Sequence, residues 1–219
     1  MKHRMIALGI AICMIFTLFA FSPVIVSEAE AKKAGLALIN QAFEVNETEA
    51  AVTYREYAGT SYVNGESVQY GDEEPVRVYE VIIPNGNDEN PLYYAAVNAK
   101  TGVAYQAERN ESFLTPLTDD QQAEGNELDS MDNADEAYVK KLNESNASEI
   151  VAAWVAKRLH PDVGVLSVLD NGFITDNVIS PRVCLEYTVV FLDGAVYQAS
   201  IYWPTMEILQ VSILSQSIQ

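Results

Sequence analysis

Residues 92–108, Leu-Tyr-Tyr-Ala-Ala-Val-Asn-Ala-Lys-Thr-Gly-Val-Ala-Tyr-Gln-Ala-Glu, leave few folds open to the chain that contains them. Tyr93, Ala95 and Val97 alternate on one face, Lys100-Thr101-Gly102 interrupts the pattern, and Val103 and Tyr105 resume it, so the segment reads as a hairpin. Gly102 stands where such a loop calls for a positive φ. A weaker copy lies at residues 197–209, where Tyr197, Ile201 and Thr205 repeat Tyr93, Val97 and Thr101 at a constant offset of 104. Two related modules are therefore expected.

The flanking segments extend each module in the same order. Ala31, Ala34, Gly35, Leu38 and Ala42, with Ile39 and Phe43 beside them, give residues 28–43 the stripe of an amphipathic helix, with Lys32, Lys33, Asn40 and Gln41 as its wet face. Strands are expected at 51–58 and 76–83, with a polar loop over 59–75 and another over 84–91. In the second half, residues 149–159 read as a helix with Ile150, Val151, Trp154, Val155 and Leu159 inward. A strand at 163–169, a turn at Asp170-Asn171-Gly172 and a break at Ser180-Pro181 come next. Val183, Leu185, Tyr187, Val189 and Phe191 alternate along a strand, Asp193-Gly194 is a hairpin turn into 195–202, and 208–214 is the last strand. Each half is a helix and then about four antiparallel strands, an α+β class.

The chain opens on a short basic start, Met1-Lys2-His3-Arg4, and an apolar run without charge over residues 5–21. Lysine and arginine stay on the cytoplasmic side, so the chain beyond this run is expected to be exported. Continued to Val26 the run has 22 residues, roughly 33 Å of helix and enough to cross a bilayer. Residues 1–26 thus read as a signal peptide or a membrane anchor. Ala29-Glu30-Ala31 offers a cleavage site, whereas Ser27 and Glu30 form a capping box that cutting after Ala31 would destroy. Ile12 before Cys13 argues against a lipoprotein.

Between Asn110 and Asn146 the carboxylates Asp119, Asp120, Glu124, Glu127, Asp129, Asp132, Asp135 and Glu136 crowd a stretch with few large apolar residues. It is read as an acidic linker or exposed connection over 110–145, with one helical piece at 134–142. Its spacing lacks the order of a calcium loop. The formal charge of −18 opposes binding to nucleic-acid phosphates or anionic lipid. Membrane contact is then expected only through the N-terminal run, if it is retained.

No catalytic, cofactor-binding or metal-ligating set assembles. His160 is the only histidine past the basic start and reads as a helix-end cation; Cys184, in a strand, reads as a structural thiol. One histidine and one cysteine form neither a nucleophile pair nor a multi-histidine metal site. The Asn-x-Ser/Thr triplets at Asn46, Asn110, Asn143 and Asn146 matter only where a secretory pathway glycosylates them. Tyrosines are concentrated on the expected strands, and on a half-exposed sheet face they suit protein contact.

The helix from Ser27 to Leu38, the strand Val78-Tyr79-Glu80-Val81 and the hairpin Val97-Asn98-Ala99-Lys100-Thr101-Gly102-Val103 resemble the PepSY domain of peptidase propeptides and bacterial membrane-associated proteins. Its hairpin signature is close to Val-Asp-Ala-x-Thr-Gly plus an apolar residue; here Asn98 stands for the common Asp. The second half resembles a diverged copy, with Tyr187-Thr188-Val189 as the middle strand and Met206 in place of the turn glycine. The resemblance implies a helix packed across an antiparallel sheet in each of two units, 27–109 and 146–219. It also implies a non-enzymatic extracytoplasmic protein, secreted or anchored at the outer face of the cytoplasmic membrane, that binds or regulates a protein partner such as a peptidase. The sequence has no protease domain after these units, so such a copy is expected to act as a separate protein. A ligand- or cation-binding sensor of the cell envelope is the other expectation.

Overall fold

The computed structural model describes residues 25–57, 60–63, 66–69, 75–86, 90–175 and 181–215. The expected apolar export or anchor helix lies outside them, apart from its last residues. Among the described residues no helix is long and apolar enough to cross a membrane.

Among the described residues the fold is α+β, with four α-helices and an eight-stranded antiparallel sheet. Helix α1 (Glu28–Phe43) is succeeded by β1 (Ala51–Tyr57), a small hairpin of β2 (Thr60–Val63) and β3 (Glu66–Gln69), then β4 (Val76–Ile83), β5 (Tyr93–Asn98) and β6 (Ala104–Arg109). A 3-10 turn, α2 (Asp119–Asp129) and α3 (Ala134–Asn143) lead to α4 (Ala147–Arg158), β7 (Val165–Thr175), β8 (Val183–Phe191), β9 (Val196–Trp203) and β10 (Glu207–Ser215). The hairpin β2–β3 falls inside the segment expected to be a loop.

The strand order is β1-β4-β5-β6-β10-β9-β8-β7, so the last strands of the two halves pair with each other. At this seam Gln106, Ala107 and Glu108 lie opposite Ser212, Val211 and Gln210. The offset of 104 carries 106, 107 and 108 onto 210, 211 and 212. The register is therefore that of a local twofold axis passing between Ala107 and Val211. The two repeats form one sheet in the way two identical subunits form an isologous interface.

Alternation decides which face the helices cover. Tyr79, Val81 and Ile83 on β4, Tyr93, Ala95 and Val97 on β5, and Leu185, Tyr187 and Val189 on β8 point to the helix side and join one buried cluster. Ala107 and Val211, both wholly buried, make that cluster continuous across the seam. Helix α1 starts in the expected capping box, with Glu30 N–H donating to Ser27 Oγ at 3.2 Å and Ser27 N–H to Glu30 Oε2 at 2.9 Å. Gly35 lets it lie close on β4.

The first hairpin turns as expected on Gly102, with φ +73°. Asn98 Oδ1 accepts from Lys100 N–H at 2.9 Å and Thr101 N–H at 3.1 Å, the turn-holding task an aspartate performs equally well. The equivalent position in the second half, Met206, takes the same left-handed backbone, φ 56°, without being glycine. A Cβ on Gly102 would stand 3.1 Å from the Val26 side chain. Gly102→Ala is accordingly expected to cost about 1–2 kcal/mol, read as a lower urea midpoint; an unchanged midpoint would show that the turn relaxes freely.

Two expectations are corrected. Asp170-Asn171-Gly172 does not end a strand: Gly172 N–H donates to Asp170 Oδ1 at 2.8 Å, and the three residues make an irregularity inside β7, between the pairs Asp170–Tyr187 and Phe173–Leu185. Turn-forming residues here serve a bulge. The acidic stretch carries two helices. Leu128, Tyr138 and Leu142 are buried in the common core, and Tyr138 packs edge-on against Trp203 at 5.9 Å between ring centres. Tyr138 Oη donates to Asp129 at 2.7 Å, and Lys141 pairs with Glu124. Asp119, Asp120, Glu127, Asp129, Asp132 and Glu136 are exposed, while Leu128, Tyr138 and Leu142 cover one end of the second half.

Candidate functional site

Helices α1 and α4 occupy one side of the sheet, and among the described residues no helix occupies the other, open side. The tyrosines divide accordingly. Tyr79, Tyr93, Tyr187 and Tyr197 are buried on the helix side, whereas Tyr57, Tyr94 and Tyr105 gather on the open face of the first half. Tyr57 Oη donates to Glu80 at 2.7 Å, and Arg55 Nε donates to the other oxygen of the same carboxylate at 3.2 Å. Desolvation, reinforced by the Glu80 charge and the neighbouring tyrosines, pushes the Tyr94 hydroxyl up to about 12. The second half presents Glu186, Gln198, Ser200 and Ser212 on this face, together with Tyr202, Val190 and Val196. Cys184 is half-buried there on β8. Three tyrosines thus gather on this face in the first half, and one, Tyr202, lies on it in the second.

His160 lies just past the end of α4 and turns its ring to the β8–β9 hairpin. Its Nε2 lies 2.9 Å from Asp193 Oδ2 and its Nδ1 lies 3.1 Å from the Tyr197 hydroxyl, with the Phe191 ring edge-on at 4.6 Å. Both ring nitrogens are thus engaged, and the trio ties the hairpin tip to the end of α4. Desolvation pushes the Asp193 carboxyl up, but the Ala195 N–H and His160 outweigh it and hold the carboxyl below its ordinary value. A depressed carboxylate adds stability that is present above its unfolded pKa, about 4, and is lost as pH falls through the lower folded value. Asp193→Asn is expected to lessen the loss of melting temperature between about pH 5 and pH 3. Parallel melting curves for the two proteins would refute that role.

A cleft of about 230 Å³ opens where the C-terminal ends of α1 and α4 meet over the seam. Gln41 Nε2 donates to Arg158 O and Arg158 Nη1 to Ala42 O, both at 2.8 Å, and this crossed pair of bonds holds the helix ends together. The Phe43 and Trp154 rings, 6.3 Å apart, stand on its walls with Ile150 and Met206. Trp154 and Ile150, expected as core, are half-buried and line this opening. Arg158 lies over the Trp154 ring at 5.3 Å and pairs with Glu44 at 2.9 Å. Arg109 lies over Phe43 at 5.8 Å, and its Nε donates to Ile208 O at 3.0 Å. On the rim, the Glu207 carboxylate accepts from Thr115 N–H at 2.8 Å and Thr115 Oγ1 at 3.0 Å.

Against known families, curated proteins and solved structures, the chain matches none. The site is accordingly read from its own geometry. Among the described residues no group of three or more His, Cys, Asp or Glu side chains is placed to hold a metal ion. Sequence reasoning did not single out Arg109 or Arg158. One signal was present: the offset of 104 makes Ile213 the equivalent of Arg109, so an arginine stands at a core-facing strand position where the repeat has an apolar residue.

Proposed function

We propose that this chain is a non-enzymatic, extracytoplasmic PepSY-like protein of two units, which binds or regulates a protein partner, such as a peptidase, at the cell envelope. The observation that carries this reading is the open sheet face of the first half, where Tyr57, Tyr94 and Tyr105 surround the Arg55–Glu80 pair. Rigid tyrosines supply large contact area at small entropic cost, with a polar hydroxyl at the end of each ring. The repeated order of helix and strands, and the turns on Gly102 and Met206, support the family reading. A formal charge of −18 suits a partner with a basic contact surface.

The test places a photo-crosslinking amino acid at Tyr105, on the open face, and in a second protein at Lys33, on the exposed side of α1. Irradiation of intact cells is expected to give one specific adduct from position 105, identified by mass spectrometry as an envelope protein and lost when Tyr94 is replaced with serine. Equal adducts from both positions, or none from 105, would sink this reading.

A further inference from the structure

The cleft between the helix ends has a composition that core packing alone does not require. The chain has 13 lysines and arginines against 31 aspartates and glutamates, yet two arginines converge on this one opening, each laid over an aromatic ring. They are not equivalent. Arg158 spends its terminal nitrogens on Ala42 O and Glu44, as a brace between helices. Arg109 is fixed through Nε and its ring contact alone, so its orientation is set while its two terminal amino groups keep their hydrogen-bonding capacity. A guanidinium held this way presents the planar fork that suits a carboxylate. Glu207, held in place by Thr115, offers an acceptor across from it, and Phe43, Trp154, Ile150 and Met206 supply an apolar wall.

We infer that this cleft binds the α-carboxylate of an apolar amino-acid residue, with Arg109 taking the carboxylate, Glu207 the α-nitrogen's hydrogen and the apolar wall the side chain. The volume, below the range of drug-sized pockets of about 300–1,000 Å³, suits one residue. The residue is either the last of a polypeptide or a free amino acid, since both carry this arrangement. The cleft lies on the helix-bearing side, so the inference stands apart from partner binding by the open face.

Calorimetric titration of the full-length chain in non-ionic detergent tests it, using N-acetyl-leucine, leucine and leucinamide as probes. At least one of the two carboxylates is expected to bind about tenfold or more tightly than leucinamide, which keeps the side chain and nitrogen but lacks the anion. Tighter binding of N-acetyl-leucine points to a chain end, and tighter binding of leucine points to the free amino acid. Arg109→Gln is expected to abolish the preference for the carboxylate. Leucinamide binding as well as both acids, or no heat from either acid at millimolar concentration, would overturn the assignment. The comparison of probes on the unaltered protein holds even where the variant folds poorly.

Discussion

Replacing Val211 with aspartate is expected to unfold both halves of the chain together. Val211 is wholly buried, sits opposite Ala107 at the seam, and belongs to the one apolar cluster that runs under α1 and α4. A carboxylate placed there has no cation within the cluster to pair with, and its burial costs about 3–5 kcal/mol or more, charged or neutralised. That is a large share of a total stability of about 5–15 kcal/mol. Because the core is shared, the loss is not confined to the half that carries the substitution. Hydrogen exchange read by mass spectrometry is the measurement. Peptides from α1 and from α4 are expected to lose protection in the same range of denaturant and to the same extent. Retained protection of α1 and β4 beside an unfolded second half would show two independent units and refute the continuous core.

Gly35→Val is expected to cost about 2–3 kcal/mol. A Cβ at this position would stand 2.6 Å from Val81 Cγ2 and 2.7 Å from Val81 Cβ, and Val81 is itself fully buried between α1 and its neighbours on the sheet. The valine on the strand cannot withdraw, so the helix must lift and expose Leu38 and Ile39, which are buried beside it. Gly35→Ala meets the same first contact but regains about 1 kcal/mol of helix propensity, and its cost is smaller. Lys33→Val, two residues away on the exposed side, controls for propensity and is expected to cost less than about 1 kcal/mol. Urea unfolding of the three variants gives the order, and equal midpoints for Gly35→Val and Lys33→Val would show that α1 is not seated on Val81.

The parts of the fold legible in the sequence were those where period and turn chemistry agreed. Helix α1 reads from Ala31, Gly35, Leu38 and Ala42 with a capping box at its start, and β4, β8 and both hairpins read from strict alternation closed by Gly102 and Asp193-Gly194. Helix α2 left almost no trace, because Gly125 and Leu128 are its only buried residues and a stripe that thin has no period to detect. Gly125 matters through contact with Pro181, a residue distant in the chain. The cleft was less legible still. Arg109 and Phe43 lie in different elements, and only the pairing of β6 with β10 and the meeting of two helix ends place them beside Arg158 and Trp154.

The sequence by itself determined that the chain is α+β, that a helix-then-strands order occurs twice, and where the two hairpins turn. Each of these comes from residues close together along the chain, through side-chain period and the left-handed freedom of a turn glycine. The tertiary structure alone decided that the two repeats share one sheet, that the acidic stretch closes the second half, and that two arginines face one opening. Those depend on which strand edges meet and which helix ends touch, contacts between residues some hundred positions apart, whose energies appear only once the chain has folded.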